Sequence, residues 1–513
     1  MSKVAKATLG LMIVTMLSKI LGFTRELALT YTYGAGTISD IYITTLSIPT
    51  ILFASIGSAL GTTFIPLFYE VEKLDGDKKS LEFSNNVFNI VTILSIIMAI
   101  LGFIFAGPLV KVFAINFTGE KLLLAIKFTR IMIFGVVFIG LSQVMTSWLQ
   151  IKGNFTVPGM IGFPYNILII VGIILSSKGN LYIMPILTLL AILCQFLFQF
   201  PFAIKTGYKY KPYINIKDKY IKRMLALVVP VFIGASVNQI NAIVDRTLAS
   251  TLGDGFITIL NSANRLNGFV LGLFIVTIST VIYPTLSKLS NENNKEKFAK
   301  SVSKSVNSVI LMVMPISVGA IVLAEPVVKI VFQRGAFDAQ ATKMTAIALA
   351  CYSIGMVGFG LREILNKVFY SLQDTKTPMI NGAMAVGVNI LLSIILIKFL
   401  GHAGLAIATS ISAIVCIVLL FISLKKKIGY FGQDYITKTI IKSLVASIFM
   451  GVITFIFYKF LVGLLGLGFI KEALALFSSI AIGAIVYIAL IIKFNIEEVS
   501  TIIDMFKSRI TSK

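Results

Sequence analysis

The chain has 513 residues, of which 57% are hydrophobic and only 13% charged, with a formal net charge of +23. That balance excludes a soluble globular protein and a disordered chain and points to an integral membrane protein. The Lys and Arg residues fall mostly in short connections between apolar runs rather than on one amphipathic surface, so the charge reads as a topology signal, not as a nucleic-acid interface.

A helix needs about 20 residues to cross about 30 Å of hydrocarbon. Reading apolar runs against their breakers predicts about fourteen spans. They lie near residues 7–33, 40–70, 87–113, 122–150, 157–176, 180–204, 222–251, 257–288, 302–333, 341–373, 378–400, 403–424, 436–462 and 469–494. At the start, Lys3 and Lys6 ahead of apolar residues 7–17 imitate a signal peptide. No small-x-small cleavage site follows, and the segment is expected to be kept as the first span.

That first span carries Lys19, Arg25 and Glu26 at membrane depth. Each charge there costs about 2.5 to 3.5 kcal/mol, so the three must face something other than lipid. Lys19, Phe23 and Glu26 follow i, i+4, i+7 spacing and share a face, with Arg25 on a neighbouring face unless Gly22 bends the helix. Asp40 opens the second span, which also holds Gly57-x-x-x-Gly61, a weak signal that fits close packing better than ligand contact. Trp148, the only tryptophan, ends the fourth span and reads as an interface anchor. Asp245 and Arg246 lie in the seventh span, Arg265 a turn or two into the eighth.

The connections alternate in charge. Residues 72–79, the run 205–223 with its seven Lys and Arg, residues 289–300, Lys425-Lys426-Lys427 and the tail after Phe506 are basic, whereas the turns near Gly34, Gly253, Gly401 and Gly466 are short and almost uncharged. With an even number of spans, the bias places both termini in the cytoplasm.

The two halves of the chain echo each other. TTFIPLFYE at 62–70 resembles STVIYPTLSK at 279–288, and GPLVKVF at 107–113 resembles EPVVKIVF at 325–332. Further on, WLQIKGNFTVPGM parallels YSLQDTKTPM, and YNILIIVGII parallels VNILLSIILI, bringing Pro158 against Pro378 and Asn166 against Asn389. At the first span of each half Arg25 falls against Arg246 and Gly34 against Gly253. The expected architecture is therefore an all-α polytopic membrane protein with two pseudo-symmetric six-helix lobes, residues 1–210 and 211–427, plus a C-terminal helix pair over 428–513.

Two readings of the intramembrane charges stand side by side. They form structural ion pairs, Arg25 or Lys19 with Glu26 and Asp245 with Arg246 or Arg265, or they line a wet, net-positive cavity between lobes suited to phosphate. Enzyme chemistry is not expected: no GxxxxGK[ST] loop, no GxGxxG turn, no Ser-His-Asp set and no metal-ligand cluster occurs, and the single histidine, His402, lies in a short connection. Cys194, Cys351 and Cys416 sit inside apolar runs without CxxC spacing and read as small buried hydrophobes.

Several strings together resemble a known family. LSKILGFTRELALTYTYGAGTISDIYI, FIPLFYE, QRGAFDAQAT, YSIGMVGFGLREILNKVFYSLQDTKTP and GLAIATSIS are similar to the MurJ lipid II flippases of the multidrug/oligosaccharidyl-lipid/polysaccharide exporter superfamily, over essentially the whole chain. The resemblance implies two six-helix lobes, a C-terminal pair forming a lipid-tail groove, and outward movement of an undecaprenyl-pyrophosphate-linked peptidoglycan precursor, lipid II, by alternating access in the bacterial cytoplasmic membrane. It implies that Arg25 and Glu26, the family's Arg-acidic pair, line the head-group cavity with Arg265. Lys19 stands where many members carry Arg, and Asp40 matches an acidic position. The partners implied are lipid II, membrane lipids and cell-wall synthesis enzymes, with no nucleic acid. Some members hold a sodium ion between spans seven, eleven and twelve, onto which Asp245, Asn389 and Thr409 match, with Ser393 where an acidic ligand is expected; no other cofactor is implied. Two departures stand out: TILFASIGSAL lacks the arginines some members carry in span two, and Asn267-Gly268 follows Arg265 where an acidic residue occurs elsewhere. The alternatives are an exporter of another polyprenyl-linked oligosaccharide, a multidrug or cation antiporter, and a non-transporting scaffold, the last disfavoured by charges at membrane depth.

Overall fold

A computed structural model describes residues 3–292, 294–496 and 498. Those residues form helices and short connections, with no strand among them: α1 (Lys3–Tyr33), α2 (Thr37–Ile104), α3 (Ala106–Phe113), α4 (Gly119–Met132), α5 (Gly135–Ile151), α6 (Thr156–Met160), α7 (Gly162–Ser176), α8 (Ile183–Lys205), α9 (Lys219–Ser250), α10 (Phe256–Asn291), α11 (Lys295–Val322), α12 (Ala324–Phe332), α13 (Ala339–Ile354), α14 (Met356–Ser371), α15 (Lys376–Ile428), α16 (Gln433–Leu465) and α17 (Phe469–Lys493).

Among the described residues, nine helical stretches are long and apolar enough to cross a membrane, ten with the pair α13–α14, which bends by 43°. An unbroken helix of 68 residues, the length of α2, would reach about 100 Å, three bilayer cores end to end. It turns back instead at Gly76, where φ is +81° in the middle of the charged run at 70–82. The 53-residue α15 likewise breaks at Gly401, φ +54°. Counting each of these as two crossings, and adding α1 and α10, recovers the fourteen spans expected in chain order. This is an all-α multi-pass membrane protein.

The chain divides into two compact units, one of Met1–Thr258 with Arg334–Phe337, the other of Ile259–Gln333 with Asp338–Lys513. In the first unit α2 packs on α5 and α9, and α7 packs on α8 and α1. Near the Gly76 turn an aromatic cluster fills the core: Phe64 stacks on Phe83 at 5.7 Å, and Trp148 meets Phe68 at 5.6 Å and Tyr208 at 5.1 Å edge-on. Trp148 is therefore no interface anchor. It is 3% exposed and its indole N–H donates to Thr206 Oγ1 at 3.1 Å, because a buried ring keeps its one donor paired.

The basic run after α8 is held in an ordered path. Asn85 donates to the Lys209 carbonyl and accepts from the Lys211 N–H, Asn86 does the same with both backbone groups of Asn215, and Asn89 donates to the Lys211 and Tyr213 carbonyls, all at 2.9–3.1 Å. Three asparagines on one helix face thus supply the pairing that an irregular segment lacks.

In the second unit Val302, Val306, Val309, Ile310 and Val313 of α11 meet Leu361, Ile364 and Leu365 of α14 and Cys416, Leu420 and Leu424 of α15. The helices α16 and α17 seat on α11 and α12. Tyr487 donates to the Leu311 carbonyl at 2.9 Å, and the buried Glu472 pairs with Lys329 at 2.6 Å. Cys194, Cys351 and Cys416 are free thiols.

The repeat read from the sequence recurs in local geometry. Gly153, φ +75°, and Gln373, φ +57°, occupy equivalent positions after α5 and α14. Beyond each, Asn154 accepts from the Val157 N–H at 3.2 Å and Asp374 from the Thr377 N–H at 2.9 Å. Both caps launch the next helix from the same side-chain position. Burial works against the Asp374 charge, but the Lys427 ammonium and the Thr377 N–H and hydroxyl outweigh it and bring this carboxyl down to about 2.

Candidate functional site

The helix α1 runs unbroken through Gly22, so Glu26 and Arg25 point in adjacent directions. Glu26 is buried, Arg25 half-buried and Lys19 exposed. The Arg25 guanidinium lies over the Tyr165 ring of α7, 5.5 Å from its centroid. A planar cation on an aromatic face keeps its in-plane N–H donors pointing outward, which suits it to hold an anion. α1 approaches α7 closely because Gly162 has no side chain: a Cβ there would collide with Ser18 Oγ, whereas one on Gly22 would stand in ordinary contact, 3.8 Å from the Asn166 amide.

Tyr165 also lines a cavity of about 390 Å³ inside the first unit, with Thr50, Phe53 and Ser58 of α2, Gln143 of α5 and Gln195 of α8 around it. Gly57 belongs to the same wall. Of the small-residue pair read as packing, Gly57 is thus also a cavity lining.

Asp40 is placed differently from Arg25. It is 0% exposed, and its carboxylate accepts from the Gly255 N–H at 2.7 Å, the Thr258 N–H at 3.0 Å and the Thr258 hydroxyl at 2.8 Å. Lys121 approaches it at 3.5 Å and bridges at 2.6 Å to Asp254, which also accepts from the Thr37 hydroxyl. Asp40 therefore caps the first turn of α10 across the fold, using the unpaired N–H groups every helix start presents. Lys121 first, and then Thr37, hold the Asp254 carboxyl below the usual carboxylate range.

Beside this clamp, residues 334–337 of the RGAFD string join the first unit. The Ala336 N–H donates to the Tyr31 carbonyl at 2.9 Å. The approach is reciprocal and needs two glycines: a Cβ on Gly34, φ +61°, would run into the Ala336 carbonyl, and one on Gly335, φ +60°, into the Tyr31 carbonyl. That contact gives the RGAFD motif a physical reason.

The remaining expected residues fall in different places. Arg265 is exposed on α10 and belongs to the second unit. Asp245 of α9 accepts from Asn241 at 3.3 Å in the first unit. Asn389 and Thr409 come together in the second, where the Asn389 amide nitrogen donates to Thr409 at 3.2 Å and Ser412 at 3.4 Å, and Ser393 donates to its oxygen at 3.5 Å. Lys121, Asp254, Tyr165, Gln143 and Gln195 were not singled out from sequence. The glutamines were the findable ones, being uncharged amides inside otherwise apolar spans.

The family described as Lipid II flippase MurJ matches residues 29–476. The chain belongs to the MurJ family. That match begins just beyond Arg25 and Glu26 and contains Asp40, Asp245, Arg265, Asn389 and Thr409. Among MurJ relatives, a Vibrio cholerae serotype O1 protein named Probable lipid II flippase MurJ is 31% identical over 428 residues, covering 79% of this chain and 80% of its own. The Burkholderia cenocepacia Lipid II flippase MurJ is 28% identical over 428 residues, covering 80% and 82%. A solved structure titled Lipid II flippase MurJ, inward closed conformation, superposes with a TM-score of 0.82 at 27% identity, over 94% of this chain and 98% of that one. An inward-facing multidrug resistance MATE transporter, at 15% identity and a TM-score of 0.66 over 84% and 99%, shares the fold alone.

Proposed function

We propose that this protein is a lipid II flippase of the bacterial cytoplasmic membrane, carrying an undecaprenyl-pyrophosphate-linked peptidoglycan precursor from the inner to the outer leaflet by alternating access for cell-wall synthesis. The observation that carries the reading is Arg25: a guanidinium on a membrane-crossing helix, stacked on Tyr165 beside a cavity, in a chain of the MurJ family. In this reading Arg25 takes the pyrophosphate, Arg265 supplies a second cation, Lys19 extends the positive surface and the buried Glu26 sets the orientation of its neighbours. Asp40 acts through the clamp, since the Gly255 and Thr258 amides already occupy its carboxylate.

The basic connections support cytoplasmic termini, with the turns at Gly34, Gly253 and Gly466 outside. We take residues 1–210 and 211–427 as the two lobes and 428–513 as the pair that offers the lipid tail an apolar track, a role supported by exposed Phe455, Phe460, Leu464 and Phe477 along α16 and α17. An inside-negative potential acts on intramembrane cations such as Arg25 by about 2.3 kcal/mol per charge per 100 mV, enough to return an empty carrier inward.

The test is rescue of a bacterium depleted of its own lipid II flippase, with outer-leaflet lipid II quantified for this protein and for Arg25→Ala at equal expression. Rescue by the first and its loss in the second is expected. Well-inserted protein that moves no lipid II would overturn the assignment.

A further inference from the structure

Gln143 of α5 and Gln195 of α8 both line the cavity of the first unit. Among the described residues neither side-chain amide has a hydrogen-bond partner, whereas Gln199, one turn beyond Gln195, is fully engaged. Its amide nitrogen donates to Ser142 Oγ at 2.7 Å and to the Gln195 carbonyl at 3.1 Å, and its oxygen accepts from Thr146 at 2.8 Å. Neither amide is among the buried polar atoms left without a partner, so each opens onto the cavity and is free to bond what enters it.

The rest of the wall says what that something is. No Asp, Glu, Lys, Arg or His lines the cavity, so a charged group would find no countercharge. Thr50, Ser58 and Tyr165 add hydroxyls, while Phe53, Ile139 and Ile192 offer apolar faces. Each glutamine presents a donor and an acceptor side by side, the complement of another amide. Gly61 leaves Gln143 its room: a Cβ there would stand 3.3 Å from Gln143 Nε2, tighter than ordinary contact. A volume of about 390 Å³ is at the small end of ligand sites, right for one sugar residue and too small for a whole sugar-peptide head.

We propose that this cavity is a subsite for an uncharged, amide-bearing sugar of the transported head group, held by Gln143 and Gln195, with Arg25 at its edge on the anionic link. The proposal rests on the flippase reading above and adds the recognition of the head group to it.

The experiment compares binding of lipid II and of undecaprenyl pyrophosphate without its sugar-peptide to purified wild-type protein, to the double variant Gln143→Leu/Gln195→Leu, and to Gly57→Leu, which fills the cavity while keeping both amides. Wild-type protein is expected to prefer lipid II. In both variants lipid II binding should weaken about tenfold, the worth of two neutral hydrogen bonds, while undecaprenyl pyrophosphate binding stays put and certifies the fold. A double variant that keeps its lipid II affinity, or loses both ligands equally, would overturn the subsite and leave the flippase assignment standing. Wild-type protein that binds neither lipid would overturn both.

Discussion

The two ends of α2's first crossing are fastened in opposite ways. At the Gly34 end the contacts are buried and use backbone: Asp40, without solvent exposure, caps α10 at 2.7–3.0 Å, and the Ala336 N–H reaches the Tyr31 carbonyl through two side-chain-free positions. At the Gly76 end, beyond the buried aromatic cluster around Trp148, the contacts next to the turn are open ion pairs between flexible side chains: Arg223 with Glu70 at 2.5 Å, Lys152 with Glu72 at 3.3 Å and Lys219 with Asp75 at 3.5 Å. Nothing stands within 4 Å of where a Cβ on Gly76 would be. A desolvated clamp has one geometry and is broken all at once, whereas exposed pairs exchange with water at little cost.

Substitutions sharpen the contrast. Asp40→Ala leaves the Gly255 and Thr258 amides and the Thr258 hydroxyl without their acceptor while Lys121 keeps Asp254, and should lower stability by about 2 to 4 kcal/mol, read as a fall in the thermal unfolding midpoint of the purified protein. An unchanged midpoint would mean the clamp is not closed in the resting protein. Gly34→Ala and Gly76→Ala each force a left-handed residue, but only the first adds a collision; we expect about 2 kcal/mol lost for Gly34→Ala and about 1 for Gly76→Ala. Equal losses would remove the argument for a close-fitting end. Glu70→Gln should cost about 0.5 kcal/mol or less, and high salt should mask even that.

Sequence reading went furthest where the signal was local. Fourteen apolar runs were legible because lipid tolerates few breakers, and Arg25 stood out because a charge inside such a run needs a reason. The matching caps at Asn154 and Asp374 were foreshadowed by the WLQIKGN and YSLQDTK strings. Asp40 could be marked as unusual, but its partners could not: they are backbone N–H groups 215 and 218 residues away, which carry no side-chain signature. Trp148 was misjudged for a related reason, since burial against Tyr208 depends on where the run after α8 is laid down. Gln195 and Gln199 look alike in sequence, and only the placement of Ser142 and Thr146 separates the engaged amide from the one facing the cavity.

The asparagines that hold residues 209–215 bear on how this protein meets a protease. Seven Lys and Arg between 205 and 223 make the region look like the natural place for trypsin to enter. A protease must draw several residues of its substrate into its own cleft and hydrogen-bond their backbone. Here Lys209, Lys211, Tyr213 and Asn215 already give those groups to Asn85, Asn86 and Asn89. Of the seven, Lys209 and Lys211 are thereby withheld from cleavage, while Lys205 and the four from Lys217 to Arg223 lie outside the held stretch.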